Sequence, residues 1–175
     1  MFILSEERDE NPRKAFDDYE CYLQENKTRL TPNVFSLATS DWYFNFQDHR
    51  CPHDGRLIKA VMLERTKSAL IETTQTEDDI HQLFQDDTID IRIQLVNAWG
   101  DGVITLDYLA VHAYRLSAFD ISGSHDDWRY DEFRLSENGF MLHEIEWRSF
   151  PGYAVWEIEA EDIQYRWTAR TVSPA

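Results

Sequence analysis

Cysteine, glycine, proline, cationic side chains and long apolar runs are all scarce in this sequence, and each scarcity excludes something. Two cysteines, Cys21 and Cys51, sit in segments of different character and provide no disulfide framework, so a reducing cytoplasm is the expected compartment. Six glycines and five prolines leave no composition for a low-complexity linker. The apolar start Met1 to Leu4 gives way to Ser5, Glu6 and Glu7, too short for a signal-peptide core or a spanning helix, and no other run approaches membrane length. Lysine and arginine total 17 against 33 acidic residues, a formal net charge of −16. A field of that sign repels nucleic-acid phosphates and anionic lipid, so neither is an expected direct partner; it favours encounter with a basic protein. Also missing are a phosphate-cradling glycine loop, His-Glu-x-x-His, Gly-x-Ser-x-Gly and Cys-x-x-Cys, so no cofactor is expected. Paired carboxylates abound, but in so acidic a chain they nominate no acid–base couple.

What remains is globular composition, 42% hydrophobic and 29% charged, in a length that suits one domain over residues 1–175. A helix is predicted over about 11–28. Asn11 can cap it, Pro12 suits the first helical position, and Phe16, Tyr19 and Leu23 recur at helical spacing until Thr31-Pro32 stops it. From about 33 to 170 the pattern reads as β-rich, ending in a loose tail at 172–175. Arg56 to Arg65 is a plausible strand. Ile89 to Leu95 alternates strictly between apolar and polar, turns at Asn97 to Gly102, and returns through Ile104, Leu106 and Tyr108. Tyr130 to Leu135 and Phe140 to Trp147 flank a turn at Glu137-Asn138-Gly139. Trp156, Ile158 and Ala160 are apolar at even positions, whereas Ile163, Tyr165 and Trp167 are apolar at odd ones; the change needs a bulge or bend near Glu161-Asp162. A short helix is expected behind Thr76 and Asp79. The fold class is therefore mainly β (α+β by count), an N-terminal helix packed on an antiparallel meander that forms a sandwich or a partly open barrel.

Three constellations are candidates for function. His49, Cys51 and His53 carry zinc-suited groups, but His-x-Cys-x-His matches no standard ligand spacing and no second pair completes it. A polar turn-forming loop is the better reading of Asp48 to Asp54, ahead of a metal-dependent enzyme or a Cys51–His nucleophile pair. Pairing of Phe140–Trp147 with Ala154–Ala160 would place Glu144 and Glu146 on one outward face with Glu157, Glu159 and Glu161. That face is either a ladder neutralised by Arg134 and Arg166 or a patch that receives a basic partner. Aromatics reach 14%, with Trp42-Tyr43-Phe44-Asn45-Phe46 reading as a strand and Trp99 and Trp128 in turn-like or polar surroundings, where rings stack on ligands when they are not core. The favoured functional expectation is a non-enzymatic acidic binding protein, such as an inhibitor or immunity-type protein for a basic partner. A small-ligand or carbohydrate-binding β module using exposed Trp42, Trp99 and Trp128 is the alternative.

Overall fold

The computed structural model describes residues 1–65, 88–117, 127–149 and 152–170. The short helix expected behind Thr76, His125, and the tail lie outside them. Three helices lead the chain: α1 (Glu7–Glu10), α2 (Pro12–Glu25) and α3 (Pro32–Ala38). As expected, Asn11 caps α2 by accepting from Lys14 N, and Ala15, Tyr19 and Leu23 are its buried stripe. Thr31-Pro32 does not only follow a helix. The Thr31 hydroxyl accepts from Val34 N and Pro32 occupies the first turn of α3, so the pair starts a helix where the sequence pattern suggested strand. Trp42 to Phe46 is likewise not a strand; Tyr43 N, Asn45 N and Asp48 N each donate to a carbonyl three residues back, a run of turns.

Six antiparallel strands follow: β1 (Arg56–Arg65), β2 (Thr88–Val96), β3 (Gly102–Leu116), β4 (Asp127–Leu135), β5 (Met141–Ser149) and β6 (Gly152–Ala169), in the order β1-β2-β3-β6-β5-β4. Two three-stranded meanders are thus joined through their longest strands, β3 and β6. The alternation read from the sequence sets the faces: Ile91, Ile93 and Leu95 on β2 pair with Tyr108, Leu106 and Ile104 on β3, and all six are buried. The phase change on β6 falls where it was expected. Ala160 and Ile163 are both buried, and the facing stretch of β3 carries Ala110 at φ 49° and a register shift between Val111 and Ala113. The buried carboxylate of Asp90 holds the irregularity by accepting from Ala110 N at 3.0 Å.

The sheet rolls until its two edges touch at one end without closing into a barrel. Asp54 N donates to Trp128 O at 2.7 Å and Trp128 N to Gly55 O at 2.9 Å. Glycine is required there because a Cβ on Gly55 would lie 2.7 Å from Pro52 O. Elsewhere the β4 edge is wrapped by the helical segment. Tyr19 Oη accepts from Phe133 N and donates to Phe133 O, and Tyr22 Oη accepts from Leu135 N. On the outer face, the fully buried Glu132 accepts from the backbone N–H groups of Phe2, Ile3 and Leu4. On the inner face, Val34, Leu37, Ala38 and Tyr43 join the strand side chains in one hydrophobic core. Capping an edge with side chains and chain segments removes its unpaired donors and acceptors from reach of other strands.

The core also contains a polar chain. Asp131 accepts from the Tyr43 hydroxyl at 2.8 Å and the Trp128 indole N–H at 2.8 Å, and lies 2.9 Å from His143 Nε2. Tyr108 Oη is 2.8 Å from His143 Nδ1. Burial pushes the Tyr43 and Tyr108 hydroxyls well above the usual tyrosine range, so both remain donors. If Nε2 carries the imidazole proton toward Asp131, Nδ1 of the neutral ring accepts from Tyr108. Each polar atom of this chain has a partner, which is what makes such a chain tolerable in a core.

Candidate functional site

The glutamate ladder forms in the expected register, with Glu144 directly opposite Glu157 and Leu142 opposite Glu159. It does not present five free carboxylates to solvent. Glu144 is only 3% exposed, because the wrapped β4–β5 outer face is covered, and it is tied to Arg134. Arg134 also lies 2.9 Å from Glu132, the residue opposite Glu144 on β4, so one guanidinium bridges two buried glutamates that would otherwise repel. Glu146 is mostly buried, its carboxylate 3.6 Å from Arg8, and burial raises its pKa above the usual carboxylate range. Glu157 pairs with Arg115, Glu159 accepts from Ser136 and Asn138, and exposed Glu161 sits 3.7 Å from His112. The compensating cations are therefore Arg134, Arg115 and Arg8, with Arg166 left exposed.

His49, Cys51 and His53 do not converge, and no group of three or more metal-suited side chains occurs among the described residues. His49 is exposed and bonds Asp101 at 2.7 Å. Cys51 is buried, donates to Tyr43 O, and is pushed up to about 12 chiefly by desolvation, which makes it an inert thiol. His53 stacks on Phe46 at 3.9 Å. Of the other His–carboxylate pairs among the described residues, His53–Asp54 and His112–Glu161 reach the surface, while His143–Asp131 is sealed in the core.

Of the three tryptophans, Trp128 is fully buried: it is an inward residue of β4, edge-on to Trp147 at 5.3 Å, and not a surface ring. Trp42 is half-buried between Tyr165 at 4.7 Å and the Arg50 guanidinium at 5.0 Å. Beside it an open groove of about 440 Å³ is edged by Ser36, Ser40 and Gln164. Trp99 alone of the three is strongly exposed, at 51%.

Trp99 stands on the β2–β3 turn, and this turn is pinned from all sides. Gly100 takes φ 74° to close it. The Asn97 side chain accepts from Gly102 N and donates to His49 O and Asp101 Oδ1. Hydrogen bonds from Asn97 and then His49 hold the Asp101 carboxyl below its usual range. Arg170 N donates to Asp101 O, and its guanidinium to Gly100 O. His49 stacks nearly parallel on Trp99, 4.9 Å between centroids.

This turn borders a cleft of about 690 Å³ at the end where the sheet edges meet. Its cations come from distant parts of the chain: Arg56 on β1, Arg129 on β4, Arg148 on β5 and Arg170 beyond β6. Two carboxylates answer them. Asp54 takes one bond from Arg129 at 3.3 Å, and Asp127 lies 3.5 Å from Arg56. Among the described residues Arg148 is exposed and has no carboxylate partner. Each guanidinium has five N–H donors, so most of the donors around the cleft have no partner among the described residues. Such an arrangement suits an anion. Sequence reading singled out Trp99 but missed all four arginines, which are separated by up to 114 positions and share no motif. No helix of the described residues is long and apolar enough to cross a membrane. No protein-family model, curated protein or solved structure matches this chain.

Proposed function

We propose that this protein is a non-catalytic binding protein for a small anionic ligand, held in the cleft between Trp99 and the four arginines. The observation that carries the reading is the surplus of guanidinium donors in one concavity of a chain whose net charge is −16. Its volume lies in the range of about 300–1,000 Å³ typical of small-molecule sites. The rigid turn under Trp99 supports the reading too, since a preorganised ring loses little entropy on binding. Anion quenching of fluorescence tests it. Iodide, repelled by the protein as a whole, concentrates at a cationic cleft, so it should quench Trp99 more effectively than neutral acrylamide does. Trp99→Phe should remove that component, and Arg148→Gln should reduce the iodide excess alone. Weaker quenching by iodide than by acrylamide, unchanged in Arg148→Gln, would refute the site.

A second reading, capture of a basic protein, is favoured by the same net charge. Its contacts would be Glu157, Glu159 and Glu161, the ladder members nearest solvent, and its signature would be an association rate that falls steeply with added salt.

A further inference from the structure

Resting on the cleft reading, we infer that the ligand is a phosphate monoester carried on a planar ring, the chemistry of a mononucleotide. Three features select it. Three of the four arginines stand on separate strands and Arg170 lies just beyond β6, so they do not form a single fork. A carboxylate presents two oxygens in one plane, whereas a phosphate monoester presents three terminal oxygens and close to two charges, which answers donors arriving from several directions. The ring is selected by Trp99. Its half-exposed indole lines the cleft, and His49 stacks on one face, which leaves the other for a flat ligand ring. Stacking of that kind tolerates any base, because every base has a π face. Size is selected by the global charge: a polyanion would lay many phosphates along a surface of net charge −16, whereas a single phosphate meets only the cationic cleft, and screening over roughly 8 Å at physiological salt hides most of the rest.

The geometry divides the work between two groups. Arg148, which has no carboxylate partner among the described residues, gains its first anion when the phosphate arrives. Arg56 and Arg129, already engaged with Asp127 and Asp54, keep the cleft walls in place. Trp99 supplies ring preference and no charge.

Isothermal titration of the full chain tests this with four probes: adenosine 5′-monophosphate, ribose 5-phosphate, adenosine, and adenine-9-acetate, which puts the ring on a single carboxylate. The monophosphate should bind about tenfold more tightly than ribose 5-phosphate and than adenine-9-acetate, and adenosine should give no heat at the same concentrations. Trp99→Ala should lower the monophosphate to the affinity of ribose 5-phosphate and leave ribose 5-phosphate unchanged. Arg148→Gln should weaken both phosphates by a similar factor. Equal affinity for the monophosphate and ribose 5-phosphate, or no effect of Trp99→Ala, overturns the ring and leaves an anion site. Equal affinity for adenine-9-acetate overturns the phosphate. Adenosine binding as tightly as its monophosphate overturns the anion, and silence from all four probes removes both the inference and the cleft reading beneath it. Both substituted side chains are exposed, and a matching circular-dichroism spectrum establishes that each variant is folded.

Discussion

Replacing Tyr19 by Phe tests how the helical segment is joined to the sheet. The ring stays, with its contacts to Phe2 and Phe44; only the hydroxyl leaves. That hydroxyl accepts from Phe133 N at 2.7 Å and donates to Phe133 O at 3.1 Å, the two groups that an edge residue of β4 turns away from β5. Tyr19 is 2% exposed and Phe133 is fully buried, so water does not replace the lost partner. A buried donor or acceptor left unpaired costs about 1–3 kcal/mol, and two share this site, so after partial relaxation the loss should be about 2–4 kcal/mol. With a urea m-value of about 2 kcal/mol/M, the unfolding midpoint should fall by about 1–2 M at unchanged slope. Tyr22→Phe supplies the internal comparison. Its hydroxyl meets one donor, Leu135 N, at a half-buried site, and about 1 kcal/mol is expected. Amide exchange at Phe133 should accelerate in the Tyr19 variant and not in the Tyr22 variant. A Tyr19→Phe protein within 0.5 kcal/mol of wild type, or one less affected than Tyr22→Phe, would refute the edge-capping account.

Two further measurements probe the ladder and the loop. Glu144→Gln should destabilise by about 2 kcal/mol, since it leaves Arg134 under-compensated at a covered site, whereas Glu157→Gln, with its partner Arg115 largely in solvent, should stay within about 1 kcal/mol; equal effects in urea unfolding would show that burial does not separate them. Burial holds the His53 imidazole below its usual pKa, so the unfolded chain takes up the proton first on acidification; stability should be complete above about pH 6.5 and fall below it, His53→Phe should flatten that slope, and an NMR titration midpoint at or above 6.5 would contradict the assignment.

Local periodicity carried much of the architecture. Ile89 to Leu95 announces a strand because each apolar side chain must face one side, and the phase change near Glu161 follows from the same rule applied to β6. Periodicity fails where a second layer covers the outer face. Glu144 reads as a solvent position, but the segment before α2 folds across the outer face of β4 and β5, and Glu132 takes its hydrogen bonds from residues about 130 positions away. Trp128 sits among polar neighbours in the sequence, yet it is the inward residue at the closing point of the roll. The Trp42 to Phe46 rings look like a strand because β-propensity scores side chains, while the backbone there is committed to successive turns ending at Asp48. The cleft had least chance of being seen. It exists only because β1 and β4, at opposite ends of the strand order, meet.

The distribution of cations argues that this meeting point is more than a polar seam. Closing the roll requires the two backbone bonds between Asp54–Gly55 and Trp128, and two ion pairs beside them, Arg56–Asp127 and Arg129–Asp54, are enough to neutralise the junction. Arg148 and Arg170 add nothing to that closure, and like charges held in one concavity repel. On the outer face of β4 and β5 the reverse holds: Arg134 stands between two carboxylates, so anions outnumber cations there. A chain with few cations and many anions could have paired each arginine with a carboxylate. Among the described residues it instead gathers four guanidiniums against two carboxylates in this cleft, next to the exposed Trp99 on a rigid turn. Donors in excess beside a rigid ring are stabilised by an anion that arrives from solution, which is the physical basis of the proposal that the cleft, and not the glutamate ladder, holds a ligand.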